Sequence, residues 1–193
     1  HPDANTRPEA YVSDVSEFPD IVASVKKTDG DGHCLFRALG GYPNGGQGWS
    51  RTMQLRNQIA RFQHDNPTMQ VYGTAETNST FQQYIYEEKG AALDDYTFLM
   101  TNSAVYGGAF EIDAFSKIYG KRVIVYVQNG KKWTPWLVIG KDCGEENIVR
   151  LGYLNLAGGS NNNHYVRLVL DVIGTEALRA KEAEAEKKTK EAQ

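Results

Sequence analysis

Apolar positions along the chain change their period once, near residue 120. Before that point they recur three and four residues apart, as on helices. After it they come in short β-branched and aromatic runs, as in strands. Residues 1–20 carry three prolines and few apolar clusters, so an extended lead-in is expected there. The core pattern begins near Ile21 and Val22. Leu35, Ala38 and Leu39 form the stripe of a buried helix, entered through the Gly30–Gly32 turn and stopped by Gly40 and Gly41. A Gly/Pro/Asn-rich loop follows. Ser50 is placed to cap a second helix with the stripe Leu55, Ile59 and Phe62. A third helix should start near Ser79 or Thr80, a short one should lie around Asp95–Met100, and a fifth should run from Ala109 to Tyr119 with Gly120 as its left-handed cap.

Beyond Gly120, Val123–Val127 reads as a strand buried on both faces. Asn129-Gly130 signals a hairpin into Trp133–Ile139, where Pro135 argues for an edge or a bulge. Ile148–Leu151 is a further short strand. After the Gly/Asn loop 157–163, His164 opens the strand Tyr165–Leu170. Helices first and strands second predict an α+β, three-layer α/β-like domain over residues 21–172. Residues 173–193 form a charged helical tail, with Glu184–Lys188 and Glu186–Lys190 at favourable i, i+4 spacing. It reads as a solvated linker rather than a partner helix.

Composition narrows the function. With 21 Lys+Arg against 24 Asp+Glu the net charge is -3, which argues against nucleic acid as the main partner. No run approaches the ~18 apolar residues of a membrane span. The two cysteines, Cys34 and Cys143, are far apart and outside any CxxC, and the four histidines are scattered. Neither a disulfide scaffold nor a metal site is indicated, and no cofactor is expected. That usage suits a reducing, cytoplasmic compartment. There a lone cysteine is either a small core residue or a nucleophile.

Asp31-Gly32-His33-Cys34 places a cysteine in the first turn of a helix, directly after a glycine turn. Helix N-termini favour the thiolate, and the amides of such a turn can converge beside the sulfur as an oxyanion hole. Taken alone, a cysteine in this setting is more often a small buried core residue than a nucleophile. His164, where a polar loop enters an apolar strand, supplies the second half: a cysteine and a histidine distant in sequence and joined by the fold suit a cysteine hydrolase. Cys143, in an acidic turn, reads as unreactive.

Asp31-Gly32-His33-Cys34-Leu35-Phe36-Arg37 resembles the Asp-Gly-Asn-Cys-Leu-Phe-Arg nucleophile signature of the ovarian tumour (OTU) cysteine proteases, with His33 in place of Asn. Tyr106-Gly107-Gly108-Ala109-Phe110-Glu111-Ile112-Asp113-Ala114 resembles the family's Trp-Gly-Gly-x-x-Glu stretch, and Asn163-His164-Tyr165 its catalytic histidine motif. The resemblance, over roughly residues 28–170, implies a papain-like cysteine protease fold with helices packed on a small, mostly antiparallel sheet. It implies a monomeric deubiquitinase that hydrolyses the isopeptide bond at the C-terminal glycine of ubiquitin or polyubiquitin. Cys34 would be the nucleophile, His164 the general base, and Asp31 the acidic residue that shapes the nucleophile loop. The backbone amides of Asp31, Gly32, His33 and Cys34 would form the oxyanion hole.

Many OTU proteases carry Asp or Asn two residues after the histidine, and here that position is Val166. Asn162 is the nearest substitute by strand parity, with Asp14, Glu17 and Asp20 as more distant ones. The missing acid motivates one alternative, a ubiquitin-binding module of the same fold with weak or no turnover; a second keeps the cysteine chemistry but acts on a ubiquitin-like modifier or a peptide amide. Tyr106 should pack beneath the following helix or wall the substrate channel. Tyr42, Trp49 and Tyr72 are candidates for ubiquitin contact or for core, and the His33 side chain is expected to be a variant without consequence. Such domains occur in eukaryotes, viruses and intracellular bacteria, so a secreted effector working in a host cytosol also fits.

Overall fold

A computed structural model describes residues 18–28, 30–41, 48–71, 79–102, 105–129, 131–155 and 163–193. The expectations for Asn162, Asp14, Glu17, Tyr42 and Tyr72 fall outside them. The described residues form β1 (Ala23–Lys26), α1 (Cys34–Gly40), α2 (Gly48–Asp65), α3 (Phe81–Lys89), α4 (Leu93–Asn102), α5 (Ala109–Tyr119), β2 (Val123–Asn129), β3 (Lys132–Ile139), β4 (Val149–Asn155), β5 (Asn163–Leu170) and α6 (Val172–Glu191). The strands make one sheet in the order β1-β5-β4-β2-β3, in which only the β2–β4 pair is parallel. This is the expected α+β architecture.

Local chemistry sets most boundaries. Thr80 caps α3 by accepting the Gln83 N–H, and the Gln83 side chain returns the bond to the Thr80 N–H. Gly120, at φ 61°, ends α5 as expected. The β2–β3 hairpin brings Asn129 opposite Lys132. Its register slips between Val125 and Tyr126, facing Pro135, so the proline sits on an edge strand at a bulge.

Three boundaries differ from the sequence pattern. α2 begins at Gly48, so Ser50 lies inside the helix. β4 runs on to Asn155 because it pairs with β5 along its length. β1 has no sequence signal of its own: it is four residues of alternating exposure, made a strand by its pairing with β5.

The two faces of the sheet carry different cores. One packs Val125, Leu151 and Tyr165 against Leu35, Leu39, Ile59, Ile112 and Phe115 of the helices. The other holds a smaller cluster of Tyr126, Trp133, Leu154, Val166 and Leu168, closed by Phe18 and Ile21 from the end of the lead-in. α6 leaves the domain beside β1. Thr175 is buried, and its hydroxyl accepts the Val22 N–H at 2.9 Å. From Lys181 onward every residue is exposed, with Glu184 and Lys188 paired at 3.0 Å.

Candidate active site

The site is built where α1 lies on β5. At its C-terminal end, the Arg167 guanidinium of β5 donates to the carbonyls of Ala38 and Leu39 at 3.0 and 3.1 Å, in the last turn of the helix. At its N-terminal end, the Tyr165 backbone amide lies near enough to the Cys34 sulfur to favour its anion. Tyr165 adjoins His164. The contact between α1 and β5 thus joins the element that begins at the candidate nucleophile to the strand that carries the candidate base.

The turn before α1 is fixed by Asp31. Gly32 adopts φ 84°, a left-handed bend that suits glycine. Asp31 Oδ1 accepts the His33 N–H at 3.0 Å, and Oδ2 receives Arg37 Nη2 at 2.6 Å and Nε at 3.2 Å. Burial pushes the Asp31 carboxyl up, but the Arg37 and His33 hydrogen bonds outweigh it and hold the group below its ordinary value. Asp31 thus links the His33 amide to the Arg37 guanidinium within the turn. The same bond engages the His33 amide, one of the four anticipated oxyanion donors.

The thiol departs from expectation. Burial pushes Cys34 up to about 11; the amides of Tyr165, Leu35 and Cys34 itself pull the other way, while the Asp31 carboxylate adds to the rise. At 1% exposure, desolvation of the anion exceeds what the helix start returns. Cys34 at rest is held as the thiol.

His164 is buried, and its Nε2 lies 3.1 Å from the Thr28 hydroxyl. The Thr28 hydroxyl donates in turn to the Tyr165 carbonyl. Val166, the position of the usual acid, is fully buried in the second core beside Trp133, so apolar packing occupies it. Asp20 is spent on the Tyr126 hydroxyl rather than on His164.

Arg56 is the residue that sequence reasoning missed. Its guanidinium, fully buried, donates to the carbonyls of Met100 at 2.5 Å and Val105 at 2.7 Å. It reaches the Gly32 carbonyl and His33 Nδ1 at 3.4 Å each, and it lies over the Phe36 ring. Burial lowers it to about 10, with Glu111 the main opposing charge, so it stays protonated at neutral pH. His33 is consequently not an idle variant. Its ring meets Arg56 on one side and packs edge-on against Trp49, with centroids 4.9 Å apart. Burial, then the Arg56 charge, push its basicity down. Trp49 also lies under Arg37 at 5.2 Å, which ties it to the nucleophile loop.

The Tyr106–Glu111 stretch backs the same loop. Tyr106 packs on the main core, and its phenol is pushed up by burial and then by Cys34 and Asp31, which places it beside the site. Gly107 lies so close to α1 that a Cβ there would stand 2.7 Å from Leu35 Cδ2. Glu111 Oε1 accepts the Gly108 N–H at 2.9 Å, while Oε2 accepts from Tyr96 and Gln63 at 2.8 and 2.9 Å, binding α2, α4 and α5 together. Cys143 sits half-buried in a separate turn, and both cysteines are free.

The family described as OTU-like cysteine protease matches residues 29–165. This chain belongs to that family. No curated protein matches the sequence. Solved OTU domains share the fold at low identity. The Hazara virus OTU bound to ubiquitin is 19% identical with a TM-score of 0.57, over 86% of this chain and 94% of that one. The Taggert virus OTU protease is 14% identical with a TM-score of 0.57, over 80% and 84%. The OTU domain of OTUD1 is 14% identical with a TM-score of 0.52, over 76% and 85%. In this OTU-like protease the segment matched by the family contains Cys34, His164 and the Asp31 turn.

Proposed function

We propose that this cysteine protease is a deubiquitinase, cleaving the isopeptide bond after the C-terminal glycine of ubiquitin. The observation that carries the reading is the packing of α1, which begins at Cys34, against β5, which carries His164, within an OTU-like cysteine protease. Ubiquitin is suggested by an OTU domain of the same fold that has been solved bound to it.

In this reading His164 takes the Cys34 proton as the sulfur attacks the glycine carbonyl. The carbonyl electrons move to oxygen, and amides of the Asp31–Cys34 turn other than the engaged one of His33 receive the oxyanion. The tetrahedral intermediate collapses, the lysine amine leaves with the proton from His164, and a thioester remains. Water, deprotonated by His164, releases ubiquitin and returns the thiol. Asp31 keeps the turn in shape through Arg37. Both cysteines being free suits work in a reducing compartment.

Ubiquitin carrying a C-terminal electrophile should form a covalent adduct with the protein, and Cys34→Ala should abolish it. No adduct, or one that persists in Cys34→Ala, refutes the proposal. The high thiol value supports one rival, a ubiquitin-binding module with little turnover; binding of ubiquitin without adduct formation would favour it. Reaction of a ubiquitin-like probe in place of ubiquitin would redirect the substrate assignment.

A further inference from the structure

We propose that Thr28 is the residue that positions His164, in the place where many OTU proteases use an acid. The inference rests on the Cys34–His164 reading above. Thr28 follows β1 and is fully buried. β1 pairs Lys26 with Arg167, so continuing that antiparallel register brings Thr28 level with Tyr165 and next to His164. There its hydroxyl makes two bonds. It lies 3.1 Å from His164 Nε2, and it donates to the Tyr165 carbonyl.

A hydroxyl has a single proton. Because Thr28 gives that proton to the Tyr165 carbonyl, its oxygen can only accept from the imidazole. The neutral His164 therefore carries its proton on Nε2, and Nδ1 is the basic nitrogen. That is the tautomer a general base needs if Nδ1 is to receive the thiol proton, and the bond also fixes the ring about its side-chain torsions. When Nδ1 takes up the proton, the Nε2–H bond to Thr28 becomes charge-assisted and strengthens. A neutral oxygen offers less stabilisation to the imidazolium than a carboxylate would. Thr28 thus supplies orientation and tautomer but not a counter-charge.

Among the described residues, two nearby acids serve elsewhere: Asp31 is bound to Arg37 and the His33 amide, and Asp20 to Tyr126. Val166 cannot accept a proton.

Two measurements test this. The first is the ¹⁵N chemical shift pair of the His164 imidazole in the unmutated protein, assigned by comparison with His164→Gln. Protonation at Nε2 supports the proposal, and protonation at Nδ1 overturns it. The second is hydrolysis of ubiquitin bearing a C-terminal aminocoumarin amide. Thr28→Val should lower kcat about 10- to 100-fold, the range for losing one hydrogen bond to a charged group, with KM unchanged. Thr28→Ser should recover most of the rate. Equal kcat in Thr28→Val and the unmutated protein, or loss in Thr28→Ser as deep as in Thr28→Val, overturns the assignment. If the unmutated protein does not turn over ubiquitin, the substrate reading fails. In that case, or if Thr28→Val does not fold, the tautomer alone decides on Thr28.

Discussion

Replacing Arg56 by Met tests whether the nucleophile loop is held from beneath. Methionine keeps most of the volume and the contact with Phe36 while removing every donor. The cost follows from what is left behind. The carbonyls of Met100 and Val105 lose charged donors at 2.5 and 2.7 Å, and each such bond contributes about 1.5–3 kcal/mol. The longer contacts to Gly32 and His33 add little. Against this stands the desolvation of the guanidinium, which is relieved in the variant. Because the carbonyls stay buried without a replacement donor, the loss prevails, and we expect Arg56→Met to destabilise the fold by about 3–5 kcal/mol. For a chain of this size that lowers Tm by roughly 6–20 °C. Arg56→Lys, able to reach one carbonyl at a time, should fall between. Urea unfolding followed by circular dichroism reads all three proteins, and turnover should drop with stability. A change below about 1 kcal/mol in Arg56→Met would refute the assignment of Arg56 as the keystone of the loop.

The Cys34 thiol should titrate near its shifted value of about 11, read as the thiolate absorbance difference between the protein and Cys34→Ala; a midpoint below neutrality would show a preformed ion pair instead. The folded value is raised, so this group's contribution to stability is intact below the ordinary thiol value and is lost as pH rises through the folded one. Gly107→Ala should cost about 1–3 kcal/mol and slow turnover, since its Cβ meets Leu35 at 2.7 Å and Phe36 at 3.2 Å inside a packed core; unchanged Tm and kcat would show that α1 has room to shift. Removing residues 181–193 should leave Tm within about 2 °C, whereas Thr175→Val should lower it, as scanning calorimetry can check.

Repetitive elements were legible in the sequence because their own residues decide them. The stripe Leu35, Ala38, Leu39, the glycine at 120 and the Asn129-Gly130 dipeptide in the sequence announced α1, the end of α5 and the pairing of β2 with β3. Elements decided by a distant partner were not. β1 is a strand only through β5, so Thr28, two residues beyond it, carried no signal. Arg56 falls on a helix whose Leu55 and Ile59 mark the buried side, and an arginine there reads as a solvated residue until its carbonyl partners from α4 and Val105 are seen. The chemistry of Cys34 was half legible. The turn and helix start show in the residues, while the depth of burial that reverses the expected acidity is a property of the assembled core.

The pairing of β1 with β5 also orders events during synthesis. The half of the site that holds the sulfur leaves the ribosome first, and its edge stays unpaired while more than a hundred further residues are made. His164 arrives only with the last strand of the sheet, and its arrival supplies the neighbours of Cys34 and Thr28 in a single docking step. On the roles proposed for Cys34 and His164, a nascent chain therefore has the sulfur without its base, and activity awaits completion of the domain.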